Sequence, residues 1–427
     1  LFFHTYREVS SVPVPTRVAR RAVVVPFLLV AGLVGTGLAP AASAAPALAR
    51  TAGVASAAAH AAQAPSAVSA KKAKKKKKNA KVTRVVPSRV GRNQGVQIYA
   101  RERPAVPKRI VRVAARQAGG AWRSLGDVRE RKHGKAYALV AFPSSGNWEV
   151  QVRLLKHKKH GKKFGRSFPV HVVPDFQPQV VAHRGGAGEA GSENTMAAYE
   201  RAVQLGYTAI ETDVQETFDD PGNSDPAQLI LMHDSTYART TNSLQVPAVG
   251  NLQVNEVPAR NLVDVRGKDG RPVPRFSQLL QLVKDYPGVT LHAEAKRPNM
   301  GPGIEQMMYD EIVAAGLKPA LDSGRIIISS FDLPTLQTFR AIDASAKLSL
   351  ITSRYADLSG SAASTVNSIT LEQPAATTAA INDAHARGYP VYVWTVDDPA
   401  FFYRFADARA DAIITDIPGS ARANLLG

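Results

Sequence analysis

The chain has 427 residues, 44% of them hydrophobic and 7% aromatic, with a formal net charge of +19 and no cysteine. That length leaves room for two or three domains, and the missing cysteine excludes a disulfide framework, a thiolate metal centre and a cysteine nucleophile. Up to Gln177 there are 34 Lys+Arg against 6 Asp+Glu, leaving 20 against 29 beyond it, so the positive excess belongs wholly to the N-terminal part. A basic arm on an acidic domain points to adhesion to an anionic polymer or surface.

Residues 1–44 read as a signal peptide. Arg17, Arg20 and Arg21 precede an apolar run from Ala22 to Leu38, and Ala42-Ser43-Ala44 offers a small-residue cleavage site. The alternative is an uncleaved anchor, since the run approaches a membrane span of about 20 residues. A secreted or cell-surface location is therefore expected. Residues 45–81, Ala-rich and then Lys-rich, offer no apolar face to bury and read as a disordered linker. The lysines of Lys71–Lys78 predict salt-sensitive attachment to an anionic cell wall or membrane. Nucleic acid is not expected, because export takes the chain away from it.

Residues 82–174 carry alternating runs at Val96–Ala100, Ile110–Ala114, Ala136–Phe142 and Trp148–Leu154, separated by Gly119-Gly120, His133-Gly134 and Ser145-Gly146. Period-two alternation between turn signals predicts a small antiparallel β-sandwich, an accessory domain with Trp122 and Trp148 in its core. Residues 178–427 change to an α/β pattern. Strand-like runs occur at Val180–His183, Ala209–Val214, Leu229–His233, Thr290–Ala295, Arg325–Ser329, Leu348–Thr352, Val391–Val396 and Ala412–Thr415, with helical patterns between several of them. Strands alternating with helices over this length predict a (β/α)8 TIM-type barrel. Ser368–Leu371 makes a surplus ninth candidate, and no helix fits between Val214 and Leu229.

Chemistry concentrates at the ends of those runs. Residues i and i+2 of a strand share a face, so Glu211 points with Asp213, and Glu294 with Lys296, into the barrel mouth. Three converging carboxylates repel unless a cation lies between them. Oxygen-only ligands select a hard divalent ion, Ca²⁺ or Mg²⁺. The plainer alternative is a set of ion pairs with Lys296, Arg184 and Arg239. His183 and His233 end two other runs, and imidazoles titrate near neutral pH.

In order, His183-Arg184-Gly185, Glu193-Asn194-Thr195, Glu211-x-Asp213, His233-Asp234, Arg239-Thr240-Thr241, Glu294-x-Lys296, Ser330-Phe331, Trp394-Thr395 and Thr415-Asp416-x-Pro418 resemble the glycerophosphodiester phosphodiesterases, over roughly residues 179–419. Segments Gly120–Gly126 and Ser145–Trp148 resemble the immunoglobulin-like accessory modules of secreted bacterial proteins. The first resemblance implies metal-dependent hydrolysis of glycerophosphodiesters to sn-glycerol 3-phosphate and an alcohol. It implies metal ligation by Glu211, Asp213 and Glu294, with His183 and His233 as the acid/base pair. Arg184 and Lys296 are placed to hold the phosphate charge. Glu193, Phe331 and Trp394 are expected at the pocket.

Asn194 or Ser192 is the expected cap of the following helix, His292 a buried partner beneath Glu294, and Asp416 the cap of the turn at Pro418-Gly419. The loops Gly186–Ser192 and Phe218–Pro226 depart from the family pattern and lie where substrate identity is decided. Two other readings remain: a phospholipase D-like activity on lysolipids, and a non-catalytic wall- or membrane-binding protein.

Overall fold

Nearly continuous apolar or β-branched strands can be buried on both faces only if helices cover one face and a closed lumen the other. The computed structural model, which describes residues 81–296 and 303–426, shows that arrangement. Eight parallel strands close a barrel: β9 (Gln179–Ala182), β10 (Ala209–Glu216), β12 (Thr290–Ala295), β13 (Ile326–Ser330), β14 (Leu348–Thr352), β15 (Ser368–Glu372), β16 (Val391–Trp394) and β17 (Ala412–Thr415). Closure comes from β17 running parallel to β9, with Ala412 opposite Gln179 and Thr415 opposite Ala182.

The assignment of strands differs from expectation in one place. Leu229–Leu231 (β11) is not a stave of the barrel; it pairs antiparallel with β10, Val214 opposite Leu231. That explains the missing helix before it, because an antiparallel return needs no crossover. The run at Ser368 takes the vacated place in the barrel.

Alternation along the strands sorts side chains into two cores. Ile210, Val214, Leu291, Ala293, Ile328, Val391, Val393 and Ile413 face the surrounding helices. Val181, Ala209, Ala412 and Ile414, with Tyr392 and Trp394 packed on them, fill the lumen. The helix Met196–Gln204 is capped by Thr195, whose side chain accepts from the Ala198 N–H, so neither Asn194 nor Ser192 is the cap. Among the described residues no helix is long and apolar enough to cross a membrane.

One carboxyl outside the barrel lumen is displaced from its ordinary titration range by partial burial. Glu311, on the helix Ile304–Ala314, has a carboxylate oxygen without a hydrogen-bond partner among the described residues, and burial pushes its carboxyl up to about 7. The folded chain therefore holds a proton that the unfolded chain releases between the ordinary Glu range and about pH 7, so stability falls as pH rises through that window. Glu311→Gln is expected to raise unfolding free energy at pH 8 by about 1–2 kcal/mol, discounted for partial solvation, and to change nothing at pH 4. Urea titrations at the two pH values check this.

The sandwich precedes the barrel. One sheet has the order β2 (Arg89–Gly91), β8 (Lys163–Val173), β7 (Gly146–Leu154), β4 (Ile110–Gln117), β5 (Arg123–Arg129); the other has β1 (Lys81–Val85), β3 (Val96–Arg103), β6 (Lys135–Val140). All pairings are antiparallel except β2 with β8. Between the sheets lie Ile98, Val111, Val113, Phe142, Val150, Val152 and Trp148. Trp148 packs edge-on against Phe142 at 5.6 Å. Trp122 does not join this core: it lies half-buried on the outer face, with Arg116 and Arg153 over its ring.

Asp407 fastens the sandwich to the barrel. It accepts hydrogen bonds from the Ser145 N–H and hydroxyl at 2.8 and 2.7 Å and pairs with Arg92 at 2.9 Å. Asp407 ends the helix Pro399–Asp407, and in this fold helix C-termini lie at the end of the barrel opposite the strand C-termini. Residues 1–44, expected to be a signal peptide, and the expected linker with its Lys71–Lys78 block up to Ala80 lie outside the described residues.

Candidate active site

Catalytic groups of a TIM barrel stand where its strands end. His183 follows β9 immediately, in a tight turn that places Arg184 at φ 51° and Gly185 at φ 86°. A Cβ on Gly185 would lie 2.8 Å from the Ala198 side chain, so the position needs glycine. The left-handed Arg184 backbone turns its N–H onto Glu211 Oε2 at 2.9 Å. Its side chain reaches Glu193 at 3.0 Å and Asp213 at 3.3 Å.

Glu211 and Asp213 on β10 and Glu294 on β12 are all buried, and one oxygen from each lies within 4.8 Å of the other two. Lys296 contacts Glu294 at 3.0 Å and Asp213 at 3.3 Å. Charge is divided unequally among the three. Burial and the neighbouring Asp213 push Glu211 up to about 7 and Glu294 up to about 8. Asp213 is also buried, yet Lys296 and Arg184 hold its carboxyl well below the usual range. Two local cations are therefore too few for three carboxylates at neutral pH, and a divalent ion among those oxygens fits the donor set.

The two histidines have matching supports. His183 Nδ1 is 2.7 Å from Asp416 Oδ1, and His233 Nδ1 is 2.8 Å from Asp234 Oδ1. An aspartate accepting the Nδ1 proton fixes the tautomer and leaves each Nε2 for proton transfer. Their environments differ: burial lowers His233, whereas the Asp416 hydrogen bond and Glu211 outweigh burial and raise His183. Asp416 is thus a buttress of His183 and not the turn cap expected from the sequence. Asp416→Asn is expected to lower kcat about 10- to 100-fold and to shift the His183 limb of the pH–rate profile to lower pH; an unmoved limb would refute the buttress.

One cavity of about 190 Å³ joins His183, Arg184, Glu211, His233, Glu294, Phe331 and Trp394. Phe331 is 51% exposed and meets Trp394 edge-to-face at 5.3 Å, forming an apolar wall opposite the charged groups. Glu193 does not line this cavity itself; it is held by Arg184, which does, and by Arg239 at 2.6 Å, and Arg239 also binds Asp234. Sequence reasoning gives Arg239 no role beyond pairing and Asn194 none beyond capping the following helix. Asn194, at φ 51°, donates to Asp213 Oδ2 at 2.8 Å and accepts from the Tyr199 hydroxyl at 2.7 Å. His292 lies in the cavity floor, packed edge-on against Tyr392 at 5.0 Å, with Nε2 lacking a hydrogen-bond partner among the described residues. Burial lowers it to about 4, so it is neutral and apolar in effect.

Comparison with known proteins agrees with this geometry. Residues 183–420, more than half of the chain, match the family model described as the glycerophosphoryl diester phosphodiesterase family. A glycerophosphodiester phosphodiesterase from Caldanaerobacter subterraneus subsp. tengcongensis is 28% identical over 56% of this chain and 94% of its own. A lysophospholipase D from Homo sapiens is 30% identical over 26% of this chain and 35% of its own. A crystal structure from Silicibacter pomeroyi DSS-3, described as a glycerophosphoryl diester phosphodiesterase, shares the fold with a TM-score of 0.50 and 21% identity, covering 60% of this chain and 95% of its own. With its closed barrel, its buried acidic triad and this match, the chain belongs to the glycerophosphoryl diester phosphodiesterase family, enzymes that hydrolyse glycerophosphodiesters.

Proposed function

We infer that this enzyme releases sn-glycerol 3-phosphate and an alcohol from glycerophosphodiesters, using a divalent cation and a His183/His233 acid/base pair. The observation that carries the reading is the pairing of two Asp-supported histidines with three buried carboxylates around one cavity. Glu211, Asp213 and Glu294 would hold the ion, whose chemistry when bound is to neutralise phosphoryl charge and polarise a phosphoryl oxygen. Arg184 and Lys296, already beside the carboxylates, attract the diester anion and hold it in register. One histidine accepts the nucleophile's proton through Nε2, and the other donates a proton to the departing alkoxide. Phe331 and Trp394 shield the reacting face from water and accommodate carbon atoms of the substrate.

Product analysis on glycerophosphocholine tests the bond that breaks. Free choline with sn-glycerol 3-phosphate is expected; phosphocholine would place the cleavage on the wrong side of phosphorus. Lysolipids form a second reading, favoured by the exposed Phe331 at the mouth and by the lysophospholipase D relative. Under that reading, lysophosphatidylcholine would be turned over faster than glycerophosphocholine. Export remains the expectation from residues 1–44, and finding the enzyme confined to the cytoplasm on cell fractionation would contradict it.

A further inference from the structure

The sandwich carries 22 Lys+Arg between Lys81 and Pro174 against four acidic residues. All four are already engaged. Glu102 pairs with Arg109 and Lys163, Asp127 with Arg112, Glu149 with Arg116, and Glu130 accepts from the Val106 N–H. The remaining positive charge has no compensation within the sandwich, and part of it is concentrated on one surface.

That surface is the outer face of the sheet containing β4, β7 and β8. Trp122 lies under two guanidinium groups, Arg116 at 4.8 Å and Arg153 at 4.6 Å, and Arg153 also covers Phe164 at 5.2 Å. Arg153 donates Nε–H to Gln151 at 2.7 Å and has no carboxylate partner among the described residues. Phe164 is 62% exposed. The tight hairpin at His157–His160 adjoins it, and Lys156, Lys158, Lys159 and Lys162 on and beside that hairpin likewise lack carboxylate partners among the described residues.

Stacking on indole fixes the plane of a guanidinium. Arg116 directs Nε and Nη2 at Glu149, whereas Arg153 engages only Nε, on Gln151, and keeps its terminal N–H groups without a carboxylate among the described residues. Planar N–H forks at fixed positions suit phosphate oxygens, which accept them in pairs. Two aromatic rings are too little apolar area to insert into a lipid surface, but enough to lie against the carbon backbone of a polyol chain.

We propose that this face binds a polyanionic chain of glycerophosphodiester units, holding the enzyme on a polymeric form of the substrate its barrel cleaves. The nature of the polymer rests on the catalytic reading above; the binding face does not. Because Asp407 fixes the sandwich at the barrel end away from the mouth, the face does not cover the active site. Attachment raises the local concentration of cleavable diesters without touching the chemistry. The face therefore acts on KM for the polymer and leaves kcat, and turnover of small diesters, unchanged.

The test uses the full chain with lysines 71, 72 and 74–78 replaced by glutamine, so that the linker adds no charge of its own. Binding to purified poly(glycerol phosphate) is measured at several salt concentrations for this parent and for its Arg153→Gln/Lys162→Gln variant, which removes two cations without a carboxylate partner among the described residues. The variant is expected to bind at least about tenfold more weakly, with a salt slope smaller by about 1.4, two cations at about 0.7 each on a flexible chain. Its polymer KM rises, while its glycerophosphocholine turnover and thermal midpoint match the parent. Arg153→Lys, which keeps charge but loses the fork, is expected to fall between them.

Unchanged affinity in a variant with the parent's thermal midpoint overturns the proposal. So does equal binding of the parent to phosphatidylglycerol vesicles or duplex DNA through the same two side chains, which would make the partner a membrane or a nucleic acid. Polymer binding by a parent inactive on glycerophosphocholine supports the face and contradicts the catalytic reading.

Discussion

His183→Ala and His233→Ala are each expected to lower kcat by at least about 10³-fold while leaving divalent-cation binding intact. General acid or base catalysis by one positioned group contributes about 10²–10⁴-fold, and the other titratable carboxyls lining the cavity, Glu211 and Glu294, belong to the acidic triad assigned to the cation. His292, the third imidazole lining it, is held neutral by burial and packs its ring on Tyr392. Calorimetric titration with Ca²⁺ or Mg²⁺ separates the two functions, because none of the three carboxylates of the acidic triad is removed. Near-normal kcat in either variant would refute the pair. Lost cation binding would instead make that histidine a ligand.

Glu294→Gln carries the second large expectation, and its sign on stability opposes its sign on activity. In metal-free protein burial and Asp213 raise this carboxyl, so the folded state binds more protons than the unfolded one between the ordinary Glu range and about pH 8. Stability of the metal-free enzyme therefore falls as pH rises through that window. A neutral amide removes this penalty. Glu294→Gln is expected to melt higher than the parent at pH 8 without metal, to lose most of the stabilisation that a divalent ion confers, and to lose at least about 10²-fold in activity.

Asp213→Asn behaves differently. It leaves Lys296 and Arg184 in a buried site without their common anion, so it is expected to be destabilised by about 3–5 kcal/mol as well as inactive. Melting curves with and without chelator distinguish the two carboxylates. A Glu294→Gln protein destabilised like Asp213→Asn would mean that the triad is an ion-pair network and nothing more.

What the sequence showed best were residues whose role follows from strand periodicity. Glu211 with Asp213, and Glu294 with Lys296, share faces because side chains alternate, and the structure places each pair at the barrel mouth. Periodicity could not separate β11 from a stave, since a buried run of three apolar residues looks the same whether its neighbour runs parallel or antiparallel. The informative sign was the missing helix before Leu229.

Asp416 was misread because its partner His183 is 233 residues away, and sequence shows only the nearby turn. Asn194 reads as a cap because a polar residue just before a helix ordinarily caps it; here Thr195 caps, and a left-handed backbone frees Asn194 for Asp213. Trp122 was placed in the core because aromatic residues in small sandwiches usually are, whereas two arginines over its ring make it surface. That pairing depends on β4 lying beside β7, which short alternating runs do not reveal.

The most direct measurement is turnover of glycerophosphocholine by the full chain, first stripped of metal by a chelator and then given Ca²⁺ or Mg²⁺. The account predicts no sn-glycerol 3-phosphate from the stripped enzyme and recovery of activity with at least one of the two ions. Full activity in the stripped enzyme, or none with either ion, would contradict it.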